Sequence, residues 1–93
     1  MEDRLYFDTS LQDYSVEQNI TLDKACNLLL VKNAGTSVLL FDLDPLQPGE
    51  SKVIGGNRNE VLVGRHQVSF RGAGVNLAIV TQKYYVEPPK YCL

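Results

Sequence analysis

Turn-forming residues punctuate this chain at intervals of about 8–12 residues, and no segment between them has the length and period of a helix. The densest example is residues 33–57, NAGTSVLLFDLDPLQPGESKVIGGN. Asn33-Ala34-Gly35 ends one extended run, because Gly tolerates positive φ and Asn does so better than most residues. Val38 to Phe41 is an unbroken apolar run rich in strand formers. Asp44-Pro45 and Pro48-Gly49 are expected to stop it, since Pro has no backbone donor and Gly permits a sharp reversal. Ser51 to Ile54 resumes the extended chain, and Gly55-Gly56-Asn57 turns it again.

Elsewhere the pattern has a period of two. Val16, Gln18, Ile20 and Leu22 alternate with Ser15, Glu17, Asn19 and Thr21, which predicts a strand half exposed to water, with a turn at Asp23-Lys24. Leu28 to Val31, like Val38 to Phe41, is apolar on both faces. Such strands lie between two layers, or between a core and another subunit. After Val61-Leu62-Val63, Gly64-Arg65 predicts a turn. His66, Val68 and Phe70 then alternate with polar neighbours, and Gly72-Ala73-Gly74 turns the chain into its longest strand, Leu77 onward through Tyr84-Tyr85-Val86, which Pro88-Pro89 ends. Residues 1–14 mix charges with Leu5, Tyr6, Phe7, Leu11 and Tyr14, and are expected to form an arm with one short strand. The expected organisation is an arm (1–14), one domain (15–87) and a tail (88–93). The domain is expected to be all-β, a single small antiparallel β-sandwich or jelly roll of seven to eight strands, with a half-open barrel as the alternative.

Charge narrows the function classes. A formal net charge of −2 over 93 residues argues against a general nucleic-acid binder. Residues 1–23 hold Glu2, Asp3, Asp8, Asp13, Glu17 and Asp23 against Arg4, whereas residues 52–83 hold Lys52, Arg58, Arg65, Arg71 and Lys83 against Glu60. The apolar runs are far shorter than the roughly 20 residues of a membrane span. MEDRLYFDTS opens on acids where a signal peptide has a basic region, so the sequence given reads as cytosolic unless a leader was trimmed. Cys26 and Cys92 are too few for a disulfide scaffold and are expected to remain unjoined, one a small buried thiol and the other a tail thiol.

Little in the chain suggests catalysis. His66 is the one histidine, it shares a strand face with Val68 and Phe70, and no nucleophile motif such as G-x-S-x-G accompanies it. Asp42, Asp44 and Glu50 flank a Pro-containing turn and could hold calcium, but DLD lacks the longer pattern of a calcium loop. IGGN and RGAG are not followed by Lys-Ser/Thr or a helix, so they read as hairpin turns and not as phosphate loops. Tyr84, Tyr85 and Tyr91 could stack on a sugar or anchor a partner, although packing over a sheet edge is the plainer reading. No catalytic, cofactor or metal residue is therefore assigned. The side chains expected to meet a partner are Leu29, Val31, Leu39 and Phe41 from the doubly apolar strands, Arg58, Arg65 and Arg71 from the basic stretch, and Tyr84 and Tyr85.

The combination of Asn33-Ala34-Gly35, a strand, and Leu46-Gln47-Pro48-Gly49-Glu50-Ser51 resembles the middle of many immunoglobulin-like and jelly-roll modules. Among these the chain looks like the small β-sandwich proteins of phage virions, such as capsid decoration, head-fibre or tail proteins. The resemblance implies a structural subunit without an active site or cofactor, assembled in the host cytoplasm into the virion. Its partners would be further copies of itself or other virion proteins, with neither nucleic acid nor membrane. A carbohydrate- or cell-surface-binding β-sandwich module, with a glycan as partner, is the alternative.

Overall fold

The computed structural model describes residues 6–86, and these form strands, turns and bends only. There are seven strands: β1 (Tyr6–Tyr14), β2 (Gln18–Asn33), β3 (Val38–Phe41), β4 (Asp44–Leu46), β5 (Ser51–Gly55), β6 (Leu62–Arg71) and β7 (Ala78–Val86). Every pairing is antiparallel.

The long strand β2 belongs to two layers. Its first half pairs with β6, from Gln18 opposite Val68 to Cys26 opposite Leu62. Its second half lies between β7 and β5, with Leu30 opposite Thr81 on one side and Val53 on the other. Counting β2 twice gives eight segments. One layer is then β1, β7, second-half β2 and β5; the other is first-half β2, β6, β3 and β4. Numbered along the chain, these orders are 1-8-3-6 and 2-7-4-5, the arrangement of a jelly roll. The all-β antiparallel sandwich read from the turn spacing is therefore the fold, in its jelly-roll form.

Two irregularities let β2 change layers. Between Leu22 and Cys26 the register with β6 slips, so three residues of β2 stand opposite Val63 alone. Between Cys26 and Leu28 the register with β7 slips by one more. Extra residues bend a strand and shift its side-chain phase. Before the second slip the buried positions are even (Ile20, Leu22, Cys26); after it they are odd (Asn27, Leu29, Val31, Asn33). One buried cluster then joins Leu29, Val31, Ala78 and Val80 of the first layer to Leu39, Phe41 and Val68 of the second.

Polar side chains pin the ends of this core. Asn33, 1% exposed, donates from Nδ2 to the carbonyls of Ser37 at 2.8 Å and Leu46 at 2.9 Å, while its Oδ1 accepts from Gly35 N at 3.0 Å. Its backbone N–H and carbonyl engage Glu50 O and Gly49 N, each at 2.9 Å. At the opposite end, the Asn27 amide lies within 3.1 Å of Asn57 O, Glu60 O and the Tyr85 hydroxyl. Segments 34–37 and 74–77 run side by side through Ala34 N to Leu77 O at 2.9 Å and Thr36 N to Val75 O at 2.8 Å. A Cβ on Gly35 would collide with the Val75 carbonyl, so that glycine is required by close backbone approach and not by positive φ.

The Gln47–Glu50 reversal closes with Glu50 N donating to Gln47 O at 2.9 Å, and Gly49 has φ +87°. That is the type II turn expected from Pro48-Gly49. A Cβ on Gly49 would meet nothing within 4 Å, so the cost of replacing it comes from backbone conformation alone. Gly49→Val is expected to destabilise the fold by about 1–2 kcal/mol, and Gly49→Asn by less, because Asn tolerates positive φ. Equal melting temperatures for wild type and Gly49→Val would contradict the turn assignment.

Four local expectations are corrected. Asp23-Lys24 is not a turn, because the strand runs on through its bulge. Asp44-Pro45 does not end the β structure; it begins the short edge strand β4, where a missing proline N–H costs no ladder bond. The reversal falls two residues earlier, on Asp42 and Leu43, with φ +50° and +72°. Gly64-Arg65 is likewise not a turn: Gly64 has φ +111° within β6, and the strand continues through it. The supposed N-terminal arm is, over residues 6–14, a full edge strand paired with β7 at nine positions. The expectations for Leu5, for Pro88-Pro89 and the 88–93 tail, and for Tyr91 and Cys92 fall outside the described residues. Cys26 is buried and unbonded, and burial raises its thiol pKa above the ordinary value despite a hydrogen bond to Leu28 O, which leaves it a poor nucleophile.

Candidate interaction surface

Antiparallel partners share a sheet face, so the register maps what the first layer presents outward. Leu11, Thr81, Leu30 and Val53 form one row across all four strands β1, β7, β2 and β5. The next row on one side is Asp13, Ile79, Lys32 and Ser51, and on the other Thr9, Lys83, Leu28 and Gly55. Phe7 opposite Tyr85 extends the face, with ring centroids 4.9 Å apart and the Lys83 ammonium 4.1 Å from the Phe7 centroid. The result is a central apolar patch with Lys83 at one end and Asp13 and Lys32 at the other. Leu11 and Val53 are 66% and 55% exposed, being on the two edge strands, while Leu28, Leu30 and Ile79 are half-buried.

The outward face of the second layer is more polar. Arg65, Gln67, Ser69 and Arg71 of β6 lie beside Thr21, Asn19, Leu40 and Val38 respectively. Val63, 79% exposed, adds an isolated apolar side chain.

The residues expected to meet a partner therefore separate into three groups. Leu29, Val31, Leu39 and Phe41 are 0% exposed and fill the core of the chain itself; the outward positions on the same strands are Leu28, Leu30, Val38 and Leu40. Run after run of apolar residues concealed the phase, because LLLV and VLLF read alike in either parity. Arg58, Arg65 and Arg71 are exposed. Arg58 sits in the 57–60 turn, whereas Arg65 and Arg71 are on β6. Tyr84 and Tyr85 are half-buried, and the Tyr85 hydroxyl is committed to the fold, donating to Glu60 O at 3.0 Å. Sequence reasoning missed Leu11, Val53 and Ile79. Each is an ordinary alternating strand residue until the pairing sets them in register with Leu28 and Leu30.

His66 lies at the rim of the core, its ring centroid 5.4 Å from that of Phe41, with Nδ1 2.5 Å from Asp42 Oδ2. Asp42 Oδ1 accepts from Gln67 N at 2.8 Å. The pair thus latches the β3–β4 hairpin onto β6. Burial raises the Asp42 pKa, but the His66 hydrogen bond, the Gln67 N–H and the positive charges of His66 and Lys52 together outweigh it and hold the carboxyl below its ordinary value. A depressed carboxyl pKa contributes stability above the unfolded-state value, about 3.9, that is lost as pH falls through the folded-state value. Asp42→Asn is therefore expected to flatten the stability profile below about pH 4, by no more than about 1 kcal/mol because the side chain is 41% exposed. Identical acid limbs for the two proteins in urea unfolding would contradict this role.

The other turn carboxylates are also engaged. Asp44 pairs with Lys52 at 2.5 Å, tying β4 to β5 across the two layers, and Glu50 Oε1 accepts from Gln47 N at 2.6 Å. Among the described residues no group of three or more His, Cys, Asp or Glu is placed to hold a metal ion, no pocket opens, and no helix is long and apolar enough to cross a membrane. Neither a protein-family model, nor a curated protein, nor a solved structure matches the chain.

Proposed function

We propose that this chain is a non-catalytic structural protein that works through protein–protein contacts, as a capsid decoration, head-fibre or tail component of a phage virion. The observation that carries the assembly reading is the outward apolar row Leu11–Thr81–Leu30–Val53, continued by Leu28 and Ile79. Contiguous exposed apolar surface rimmed by charge is the mark of an interaction site. The jelly-roll order adds support by analogy of fold, since viral capsid domains use it; lectins use it too, so fold alone does not decide function. The polar groups that could have served catalysis are spent on architecture: His66 and Asp42 latch a hairpin, and Asp44 and Lys52 hold one edge closed.

The test is recovery of the chain, at stoichiometric copy number, in density-purified particles of the virus that encodes it. A Leu11→Asp variant is expected to fold, because Leu11 is on the surface, and to be depleted from those particles. A chain absent from particles that instead binds selected sugars on a glycan array would establish the carbohydrate-binding alternative.

A further inference from the structure

We infer that the outward face of the β1–β7–β2–β5 layer is a self-complementary contact to a second copy of this chain, packed face to face about a two-fold axis parallel to the strands. The inference rests on the assembly reading above and names its partner. Its basis is the placement of two charges. Asp13 and Lys32 flank Ile79 in one cross-strand row, two strand spacings or about 10 Å apart. Within one chain that is too far for an ion pair, and among the described residues neither takes part in one.

A two-fold axis running between β7 and β2 exchanges β1 with β5 and β7 with β2 while keeping each row level. The rows of the two copies then oppose one another. Leu11 faces Val53 of the second copy, and Thr81 faces Leu30. In the charged row, Lys32 of the second copy stands over Ile79, one strand spacing from Asp13. The long Lys side chain bridges that offset within a sheet gap of about 10 Å. Symmetry makes the contact twice. The two residues that are most exposed in the apolar row, Leu11 and Val53, are the two that this arrangement buries against each other. Lys83, held over the Phe7 ring, lays its stem across Leu28 of the second copy at the opposite end. Lys32 of the two copies also stand one strand spacing apart, and each reaches away from the axis towards the other copy's Asp13.

Burial supplies the affinity and the two Asp13–Lys32 pairs set the orientation.

Charge exchange within one chain tests this directly, because Asp13 and Lys32 meet only across the contact. Light scattering of the full chain during size exclusion should show a dimer. Asp13→Lys and Lys32→Asp should each weaken dimerisation roughly tenfold, and the double variant should recover most of that loss. Circular dichroism melting serves as the folding control, and both sites are exposed. Monomer at every concentration, or a double variant no better than the single ones, would overturn the contact. In either case recovery from purified particles still judges the virion reading separately, since a monomer can decorate a lattice.

Discussion

Asn33→Ala is expected to destabilise the fold by about 3–5 kcal/mol, because one small buried side chain bonds three backbone groups at once. Its amide feeds the carbonyls of Ser37 and Leu46 and its oxygen receives Gly35 N–H. Each buried group left unpaired costs about 1–3 kcal/mol, with the sum reduced by relaxation. Asn33→Asp is the sharper variant. It keeps the shape and the acceptor for Gly35 but removes the donor to two carbonyls and buries a charge, so it should be at least as damaging as alanine at neutral pH. For a chain of this length total stability is about 5–14 kcal/mol, and either change should be plain in a urea titration. A melting temperature for Asn33→Asp within a few degrees of wild type would show that these bonds carry little.

Phe41→Ala is expected to cost about 3–5 kcal/mol. Phe41 is the largest fully buried side chain, it contacts the His66 ring, and Lys52 stands 5.8 Å from its centroid. Removing it leaves a cavity where both layers and the Asp44–Lys52 edge meet. The neighbouring Leu40 points outward and is half-buried, so Leu40→Ala should cost about 1 kcal/mol or less. Comparable losses at positions 40 and 41 would mean that the phase of β3 is wrong.

That contrast also measures what could be read in advance. The turn chemistry carried the fold class, since Pro48-Gly49 and Gly55-Gly56 occupy the positive-φ turns that their residue types demand. Ile20, Leu22 and Val68 also face inward as their patterns say, whereas Val16, expected on the same face, lies in a bend before β2 and is 66% exposed. Three things were hidden. Asp42-Leu43 makes the β3–β4 reversal although Leu is an unfavourable residue at positive φ, so turn propensity pointed to Asp44-Pro45 instead. The bulges in β2 are set by pairing with β6 and β7, contacts that lie far away in sequence. The bulges decide which of Leu28 to Val31 face inward, and a run of four apolar residues cannot announce its own phase. The proposed contact surface depended on both: of the two doubly apolar strands only Leu28 to Val31 belongs to it, Val38 to Phe41 lying in the other layer, and Leu11, Val53 and Ile79 emerged only from the register. Asn33 was legible as a turn former; its larger role as a bridge between layers depends on Leu46 and Ser37 arriving beside it.

The measurement that bears most directly on the account is sedimentation equilibrium of the full chain from micromolar to high-micromolar concentration. The account predicts a weight-average mass that climbs from the chain's 10.4 kDa towards twice that value, and that stays at the lower value in Leu11→Asp. Salt should weaken the association only modestly, because burial dominates it. A mass of one chain at every concentration, for a protein that melts cooperatively, would contradict the claim that this apolar sheet face is covered by a second copy.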